Sequence, residues 1–264
     1  MHTQEIIAGV FTTVLVFLLI IWFAIRPHTL HTEVLQTTIN GLEINYAVRG
    51  YTYGKPIVLL HGNGGSHQDL NTLIGFLADA GYRVYAPDTR GQGANAPLTE
   101  YHYDDMANDI HIFVQQVIQP YYKRKPVYPA VFGWSDGGII ALLSEVKYPG
   151  TWGAIITSGA NIFPDCGIWD LKQERAHPTI NSPLYKMMLY EPNMTTSDMA
   201  TIQCPCLIAA GENDAIPFEH TQLIAHNIPN GEMLIIPGAD HGSHIENGVV
   251  MGKYIRKYLR KIKY

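Results

Sequence analysis

The sequence predicts an α/β domain built on a mostly parallel sheet with helices on both faces. Short apolar runs alternate with helix-like stretches from about residue 57 to the end of the chain, which is the order that successive strand–helix units produce. The strand-like runs are continuously apolar, as expected of parallel strands that are buried on both faces. Several of them end in turns that carry glycine together with Ser, Asp, Asn or His.

The individual elements follow from local patterns. Predicted strands are residues 34–39, 42–48, 57–60, 82–86, 127–132, 154–157, 206–210 and 233–236. Predicted helices are residues 70–80, 104–118, 138–147, 218–227 and 249–262. The first two strands are separated by Asn40 and Gly41, and these residue types tolerate the positive φ angles of a type I′ hairpin turn.

One segment, residues 161–202, breaks the alternation. It contains four prolines and a set of large apolar side chains, which include Trp169, Tyr185, Met187, Met188 and Tyr190. Because ligand crevices lie at the carboxyl edge of such sheets, an insertion between two strands there predicts a lid. The alternative is a surface excursion that packs its own aromatic side chains.

The beginning of the chain has a different character. Residues 6–25 form an uncharged apolar run of 20 residues, and a helix of that length would span roughly 30 Å, the thickness of a bilayer core. A cleaved signal peptide would carry a basic start and a small-residue cleavage site, which are missing here. We therefore expect a membrane anchor and linker in residues 1–32 and one globular domain in residues 33–264. Arg26 after the run favours a cytoplasmic domain.

Composition excludes several other classes. The net charge of −5 and the lack of a visible basic stripe argue against nucleic acid as a partner. The three cysteines are odd in number, and Cys204 and Cys206 are only two residues apart, so a disulfide framework is not expected. No second Cys/His pair has zinc-binding spacing. We expect neither a metal nor a cofactor.

The most informative motif is Gly-Trp-Ser-Asp-Gly-Gly at residues 133–138. It follows a predicted strand and precedes a predicted helix. A serine on such a sharp, crowded turn needs small residues two positions away on either side, and Gly133 and Gly137 satisfy that need. This is the arrangement of a nucleophilic serine at a strand-to-helix turn.

Other short motifs also follow predicted strands. They are His-Gly-Asn-Gly-Gly at 61–65, Asp-Thr-Arg-Gly-Gln-Gly at 88–93, Gly-Glu-Asn-Asp at 211–214 and Gly-Ala-Asp-His at 238–241. Together with the serine motif they resemble the α/β-hydrolase fold family over nearly all of residues 33–264. The resemblance implies a Ser, Asp, His order for the triad. His61 and an Asp88–Arg90 ion pair are expected to be structural.

The resemblance assigns roles to individual residues. Ser135 is the expected nucleophile, His241 the general base, and Asp214 the acid that orients the base. Glu212 and Asp240 compete for the acid role, and His244 competes for the base. The family spacing Gly-x-x-Asp before an apolar-Pro pair favours Asp214, and Gly-x-x-His favours His241.

The backbone N–H groups of Asn63 and Asp136 are expected to form the oxyanion hole. The serine motif also resembles the valacyclovir-hydrolase-like branch, in which the acid after the serine is linked to recognition of α-amino acid esters. A buried Asp136 carboxylate needs a partner, either a substrate ammonium or a donor from the protein. Trp134, Asp136 and His244 are candidate substrate-binding residues.

A serine at the turn excludes the family branches that use an aspartate nucleophile, such as haloalkane dehalogenases and epoxide hydrolases. We therefore expect a serine hydrolase that cleaves a small-molecule carboxylic ester. The alternatives are a thioesterase, amidase or C–C hydrolase with the same triad, or a non-catalytic member that uses the pocket to bind a ligand.

Overall fold

Eight strands form one sheet in the order β1-β2-β4-β3-β5-β6-β7-β8 in a computed structural model, which describes residues 28–122, 126–168 and 170–264. The strands are β1 His28–Ile39, β2 Leu42–Tyr51, β3 Lys55–Leu60, β4 Tyr82–Pro87, β5 Ala130–Trp134, β6 Ala154–Ser158, β7 Cys206–Gly211 and β8 Gly231–Ile236. Strands β3 to β8 pair in parallel, and β1 and β2 add an antiparallel edge. The predicted fold class is therefore confirmed.

Helices connect the parallel strands, as predicted. They are α1 Asn71–Asp79, α2 Tyr103–Phe113, α3 Asp136–Lys147, α4 Leu171–Ala176, α5 Pro183–Tyr190, α6 Thr196–Met199, α7 Phe218–Asn227, α8 Ser243–Glu246 and α9 Gly248–Lys261. The predicted helix 104–118 is α-helical as far as Phe113 and continues as a π-helical turn, Val114–Ile118.

The sheet separates two hydrophobic clusters. Alternate residues of β3 face opposite sides: Val58 and Leu60 belong to one cluster, and Ile57 and Leu59 belong to the other. Helices α2, α3 and α7 cover the first face, whereas α1 and α9 cover the second. This burial on both faces explains why the parallel strands are apolar throughout.

The β1–β2 hairpin turns where the sequence predicts it. Asn40 has φ 48° and Gly41 has φ 79°, the pair of positive values that a type I′ turn requires. Ile39 pairs with Leu42 across the turn.

Strand β5 begins three residues later than predicted. Its pairing with β6 starts at Ala130. Pro129 has no N–H to donate to a ladder, although its carbonyl accepts a hydrogen bond from the Gly153 N–H. Tyr128 is 55% exposed. The apolar run therefore includes residues that lead into the strand without belonging to it.

Residues 161–202 connect β6 to β7 and carry the three short helices α4, α5 and α6. Trp169 lies outside the described residues. The segment is tied internally, because the Arg175 guanidinium donates to the Leu189 carbonyl. It is also tied to α2, because the Glu191 carboxylate accepts a 3.0 Å hydrogen bond from the Tyr103 N–H.

The expected Asp88–Arg90 ion pair is wrong. Asp88 instead accepts hydrogen bonds from the backbone and the ring of His67, at 2.7 and 2.8 Å. Arg90 binds both carboxylate oxygens of Asp109 and also reaches Asp105. The side chains of Asp88 and Arg90 find these partners on different neighbouring elements.

The predicted membrane anchor, residues 6–25, lies outside the described residues. Within residues 28–122, 126–168 and 170–264, no helix is long and apolar enough to cross a bilayer.

Candidate active site

Ser135 lies on the turn between β5 and α3 in a strained conformation, with φ 52° and ψ −117°. Its N–H donates a 2.8 Å hydrogen bond to the Ser158 carbonyl at the end of β6. A Cβ atom at Gly133 would overlap the Gly137 carbonyl, and one at Gly137 would overlap the Leu60 carbonyl. The two glycines are therefore required for the chain to turn within this space.

Three side chains from separate strand ends meet at this turn. The Ser135 Oγ atom lies 3.1 Å from Nε2 of His241, and Nδ1 of His241 lies 2.7 Å from Oδ1 of Asp214. A proton on Nδ1 would donate to the carboxylate and leave Nε2 free to accept the serine proton. The structure thus brings together the three residues singled out by the sequence motifs.

The environment of Asp214 favours its charged form. Burial of this carboxyl opposes ionisation, but hydrogen bonds from His241 and from the N–H groups of Ile216 and Gly211 outweigh that effect and lower its pKa below the ordinary value. Its side chain is 1% exposed, against 32% for His241. A buried anion that cannot turn toward water is suited to holding an imidazole in one orientation.

The competing acids have other partners. Glu212 accepts a 2.7 Å hydrogen bond from the Gly238 N–H. Asp240 accepts from the N–H groups of Gly242 and Ser243, at 2.9 and 2.8 Å. Both carboxylates therefore shape the loop that carries the histidine, whereas Asp214 contacts the imidazole itself.

Two further residues confine His241. Trp134 donates a 2.8 Å hydrogen bond from Nε1 to the His241 carbonyl, and its ring centroid lies 5.9 Å from the imidazole. Gly159 has φ 65°, and a Cβ atom there would lie 2.7 Å from Cε1 of His241. Trp134, which the sequence predicts as a substrate contact, therefore also holds the loop that carries His241.

His244, a competitor for the base and a candidate substrate contact, is buried and does not face solvent. Its Nε2 atom lies 2.6 Å from Oγ of Ser158. Burial is the main cause that lowers the pKa of His244, so the neutral form is favoured. In this arrangement His244 supports the strand end behind Ser135.

The loop after β3 also lies close to the serine, since a Cβ atom at Gly62 would lie 3.4 Å from the Cβ atom of Ser135. His61 is buried, and its Nε2 accepts a 3.0 Å hydrogen bond from the Thr89 N–H, so Nδ1 carries the proton and donates to the Gly62 carbonyl at 2.7 Å. Burial lowers the pKa of His61. The expected loop-shaping role of His61 agrees with these bonds, which fix the backbone just before Asn63.

The Asp136 carboxylate has two donors from the protein. Oδ2 accepts a 2.8 Å hydrogen bond from Nδ2 of Asn63, and Oδ1 accepts a 2.7 Å hydrogen bond from the Tyr103 hydroxyl. Burial raises the pKa of Asp136, and these two bonds oppose the increase. The sequence left two kinds of partner open for this carboxylate, a substrate ammonium and a donor from the protein. The structure contains protein donors, namely the Asn63 amide and the Tyr103 hydroxyl.

Three residues of this site are not among those singled out from the sequence, and two of them carry no sequence signal. Tyr103 opens a helix far from every motif, and Gly159 follows β6 without a recognisable pattern. Ser158 could have been found, since it ends a strand at the same edge as the other motifs.

The chain is similar to known proteins along most of its length. The family described as "Serine aminopeptidase, S33" matches residues 54–201. The "Serine hydrolase BPHL" of Homo sapiens is 24% identical over 255 residues, which cover 85% of this chain and 86% of that protein. The "Proline iminopeptidase PfmaB" of Pestalotiopsis fici is 24% identical over 281 residues, which cover 84% of this chain and 98% of that protein.

A solved structure supports the fold. The esterase from Thermogutta terrifontis superimposes with a TM-score of 0.69 at 20% identity, over 87% of this chain and 99% of that chain. The matched family segment spans more than half of the chain and includes β3, the serine turn and α3. The chain therefore belongs to the serine aminopeptidase (S33) family and is a serine hydrolase of the α/β-hydrolase superfamily.

Proposed function

We propose that this chain hydrolyses carboxylic esters through an acyl-enzyme on Ser135, with His241 as the base and Asp214 as its orienting acid. The observation that carries the proposal is the continuous series of contacts from Ser135 Oγ to His241 Nε2 and from His241 Nδ1 to Asp214 Oδ1, at 3.1 and 2.7 Å. A serine hydroxyl becomes an effective nucleophile only when a neighbouring base accepts its proton.

The proposed reaction has two balanced halves. Ser135 Oγ attacks the ester carbonyl carbon while its proton moves to His241 Nε2, and the carbonyl oxygen becomes an oxyanion. As the oxyanion collapses, the C–O bond to the alcohol breaks and the imidazolium protonates the departing oxygen. Water then attacks the acyl-serine in the same way, releases the acid and restores the Ser135 hydroxyl.

The oxyanion needs donors that are already in place. We assign them to the backbone N–H groups of Asn63 and Asp136. Asp136 is the first residue of α3, and the N–H groups of a first helical turn have no acceptor within their own helix. Loss of one such donor typically reduces kcat by about 10²–10³.

Covalent labelling tests the proposal directly. A fluorophosphonate probe should label the wild-type chain, and Ser135→Ala should abolish both labelling and hydrolysis of p-nitrophenyl acetate. Circular dichroism and thermal unfolding would verify that the variant is folded. Undiminished hydrolysis by folded Ser135→Ala would contradict the assignment. A series of p-nitrophenyl esters with increasing acyl length would then define the acyl preference.

A second candidate is hydrolysis of an amide bond next to a free amino terminus, which the family description and the iminopeptidase relative favour. An ammonium would need an anionic partner near Ser135, and Asp136 is adjacent. Its carboxylate already accepts bonds from Asn63 and Tyr103, so we favour the ester. Faster turnover of aminoacyl p-nitroanilides than of simple esters would support the second candidate. If the chain is instead a simple esterase, an aminoacyl ester and its desamino analogue should react at equal rates.

We also propose that residues 161–202 act as a lid over Ser135. The support is their place between β6 and β7 and the contact of Glu191 with Tyr103, which itself reaches Asp136. If the segment selects substrates, Tyr185→Ala should change the acyl-length preference more than it changes hydrolysis of the acetate ester.

Finally, we propose that residues 6–25 anchor the chain in a membrane with its domain on the cytoplasmic side. The support is the length and apolarity of this run and Arg26 directly after it. The full chain should remain in the membrane pellet after a carbonate wash, and a chain that begins at His31 should keep its esterase activity. Recovery of the full chain in the supernatant would contradict the anchor.

A further inference from the structure

The last helix carries an uneven share of the positive charge. Residues 248–264 contain six of the 18 Lys and Arg residues and no Asp or Glu, although acidic residues outnumber basic ones in the whole chain. Lys253, Lys257 and Arg260 are exposed and recur every three or four residues along α9, which places them on one side of the helix. The sequence-based expectation that the chain has no basic stripe is therefore wrong.

Helix α9 ends at the amino edge of the parallel sheet. The hydroxyl of Tyr264 donates a 2.6 Å hydrogen bond to the Pro56 carbonyl and accepts a 2.7 Å hydrogen bond from the Ala130 N–H, and these two residues lie at the starts of β3 and β5. The Lys55 ammonium lies 5.6 Å from the Tyr264 ring centroid. Ser135 follows the other end of β5, so the basic residues lie at the edge opposite the candidate active site.

Exposed tyrosines border the same edge. Tyr53, Tyr121 and Tyr128 are 77%, 48% and 55% exposed. Tyr53 lies between β2 and β3, and the Tyr128 carbonyl lies 3.3 Å from the Tyr264 hydroxyl. Tyrosine favours the boundary between water and lipid, because its ring is apolar and its hydroxyl is polar.

Two acidic side chains near this edge have basic partners. Glu232 accepts a 2.6 Å hydrogen bond from Lys261, and Asp79 lies 3.5 Å from Arg49. We define the basic edge as Lys55, Lys257, Arg260 and Lys263 with the exposed Tyr53. Its four cations are exposed, and an anionic surface could approach them together.

The chain also enters the domain at this edge. His28, the first residue of β1, pairs with Tyr51 near the end of β2, only a few residues before Lys55. Only two residues separate the end of the uncharged apolar run 6–25 from His28 in the sequence. A membrane anchor formed by that run would thus deliver the domain to a bilayer with the basic edge nearby.

We propose that the basic edge docks on anionic lipid headgroups and thereby holds the candidate active site away from the bilayer. Basic residues next to a membrane anchor are attracted to anionic leaflets, and the acidic remainder of the domain would be repelled from them. The orientation assigns the enzyme to water-soluble esters that reach the carboxyl edge from the aqueous side. This inference rests on the proposed ester hydrolysis for the substrate and on the proposed anchor for tethering.

Lysine footprinting of the full chain tests the docking surface. The chain is reconstituted in nanodiscs of phosphatidylcholine, with or without phosphatidylserine, and acetylated with an N-hydroxysuccinimide ester. Mass spectrometry gives the acetylation rate of each lysine. Lys55, Lys257 and Lys263 should react several-fold more slowly in the anionic discs. Lys172 and Lys186 are exposed on the insertion 161–202, away from the basic edge, and should react equally in the two kinds of disc.

Salt and a charge variant provide the matched controls. In about 1 M NaCl the screening length falls to about 3 Å, so the protection should disappear. The triple variant Lys257→Gln/Arg260→Gln/Lys263→Gln should lose protection at Lys55, whereas Lys172→Gln/Lys186→Gln should keep it. The triple variant should not change hydrolysis of a soluble p-nitrophenyl ester.

Other results of these experiments would contradict docking of the basic edge on anionic lipid. Equal rates at Lys55, Lys257 and Lys263 in the two kinds of disc would overturn the proposal, as would protection by RNA in neutral discs without protection by phosphatidylserine. Flotation of the full chain with lipid vesicles tests the anchor separately, because an anchored chain should float with neutral vesicles. Flotation with anionic vesicles only would support docking by the basic edge and contradict the anchor. Fluorophosphonate labelling reports the proposed chemistry independently of both.

Discussion

The side-chain amide of Asn63 donates a 2.8 Å hydrogen bond to the carboxylate of Asp136. This bond joins the two residues to which we assign the oxyanion donors, one on the loop after β3 and one at the start of α3. The two backbone N–H groups are therefore held relative to each other by their own side chains. Such preorganisation is what makes donors effective when charge develops on a substrate oxygen.

Asn63→Ala removes this connection but retains the Asn63 backbone N–H. We expect kcat for p-nitrophenyl acetate to fall about tenfold with little change in KM, because a misplaced donor affects the transition state more than the bound ester. Asn230→Ala is the control, since the side-chain amide of the exposed Asn230 donates a similar hydrogen bond, to the Gln203 carbonyl. A fall in thermal stability without a change in kcat would show that the bond is only structural.

Tyr103→Phe removes the other donor to Asp136. The carboxylate oxygen that loses it stays buried, so the free energy of unfolding should decrease by about 1–3 kcal/mol. The matched control is Tyr258→Phe, because the buried hydroxyl of Tyr258 has no hydrogen-bond partner among the described residues. Urea unfolding of both variants would measure the difference, and equal losses would contradict the importance of the Tyr103 bond.

His241→Ala should reduce kcat by about 10³ or more, as expected for members of a unit that acts together. His244→Ala should mainly lower the melting temperature, because the His244 ring is hydrogen-bonded to Ser158, whereas Ser135 is hydrogen-bonded to His241. Both variants would be assayed for esterase activity at temperatures where they remain folded. The assignment fails if His244→Ala is the more damaging change to kcat.

Most of the fold was predictable because one physical pattern determines it. Strands buried on both faces must be apolar, so β3 and β7 are recognised by composition alone, and Asn40 with Gly41 identifies the hairpin by its positive φ angles. The start of β5 was missed because Tyr128 is apolar enough to resemble a strand residue. Only the pairing partner of Ala130 shows where the ladder begins.

The contacts of the site were only partly predictable. Ser135, Asp214 and His241 each stand at a fixed spacing from a glycine, and the sequence displays that spacing. Tyr103 reaches Asp136 across 33 residues of chain, and no local pattern encodes such a contact. The Asp88–Arg90 pair failed for a related reason, since neighbours in sequence compete with partners that tertiary packing brings close.

Gly159→Ala tests how closely the site is packed around His241. A Cβ atom at Gly159 would lie 2.7 and 2.8 Å from two atoms of the His241 ring, so the imidazole must move and kcat should fall by about 10². Gly41→Ala is the matched control: its φ is also positive, at 79°, but nothing lies within 4 Å of the added atom. Both variants should lose stability, and only Gly159→Ala should lose turnover in the folded state.

Stability should fall in mild acid because of His220. Burial lowers its pKa from 6.5 to about 4, and its Nε2 accepts a 3.0 Å hydrogen bond from the Ile162 N–H at the start of the insertion. Because the folded pKa lies below the unfolded one, this contribution is complete above about pH 6.5 and is lost as the pH falls toward 4. The shift corresponds to about 3 kcal/mol in total.

The measurement is urea unfolding of the wild type and of His220→Gln between pH 7 and 4.5. Glutamine can still accept a bond from Ile162 but does not titrate, so the variant should lose less stability over this range. Other buried histidines, including His61 and His244, also have lowered pKa values, so the difference between the two proteins, and not either slope alone, is diagnostic. His226→Gln alters an exposed histidine of the same helix and should follow the wild type. Parallel curves for wild type and His220→Gln would show that His220 does not titrate as proposed.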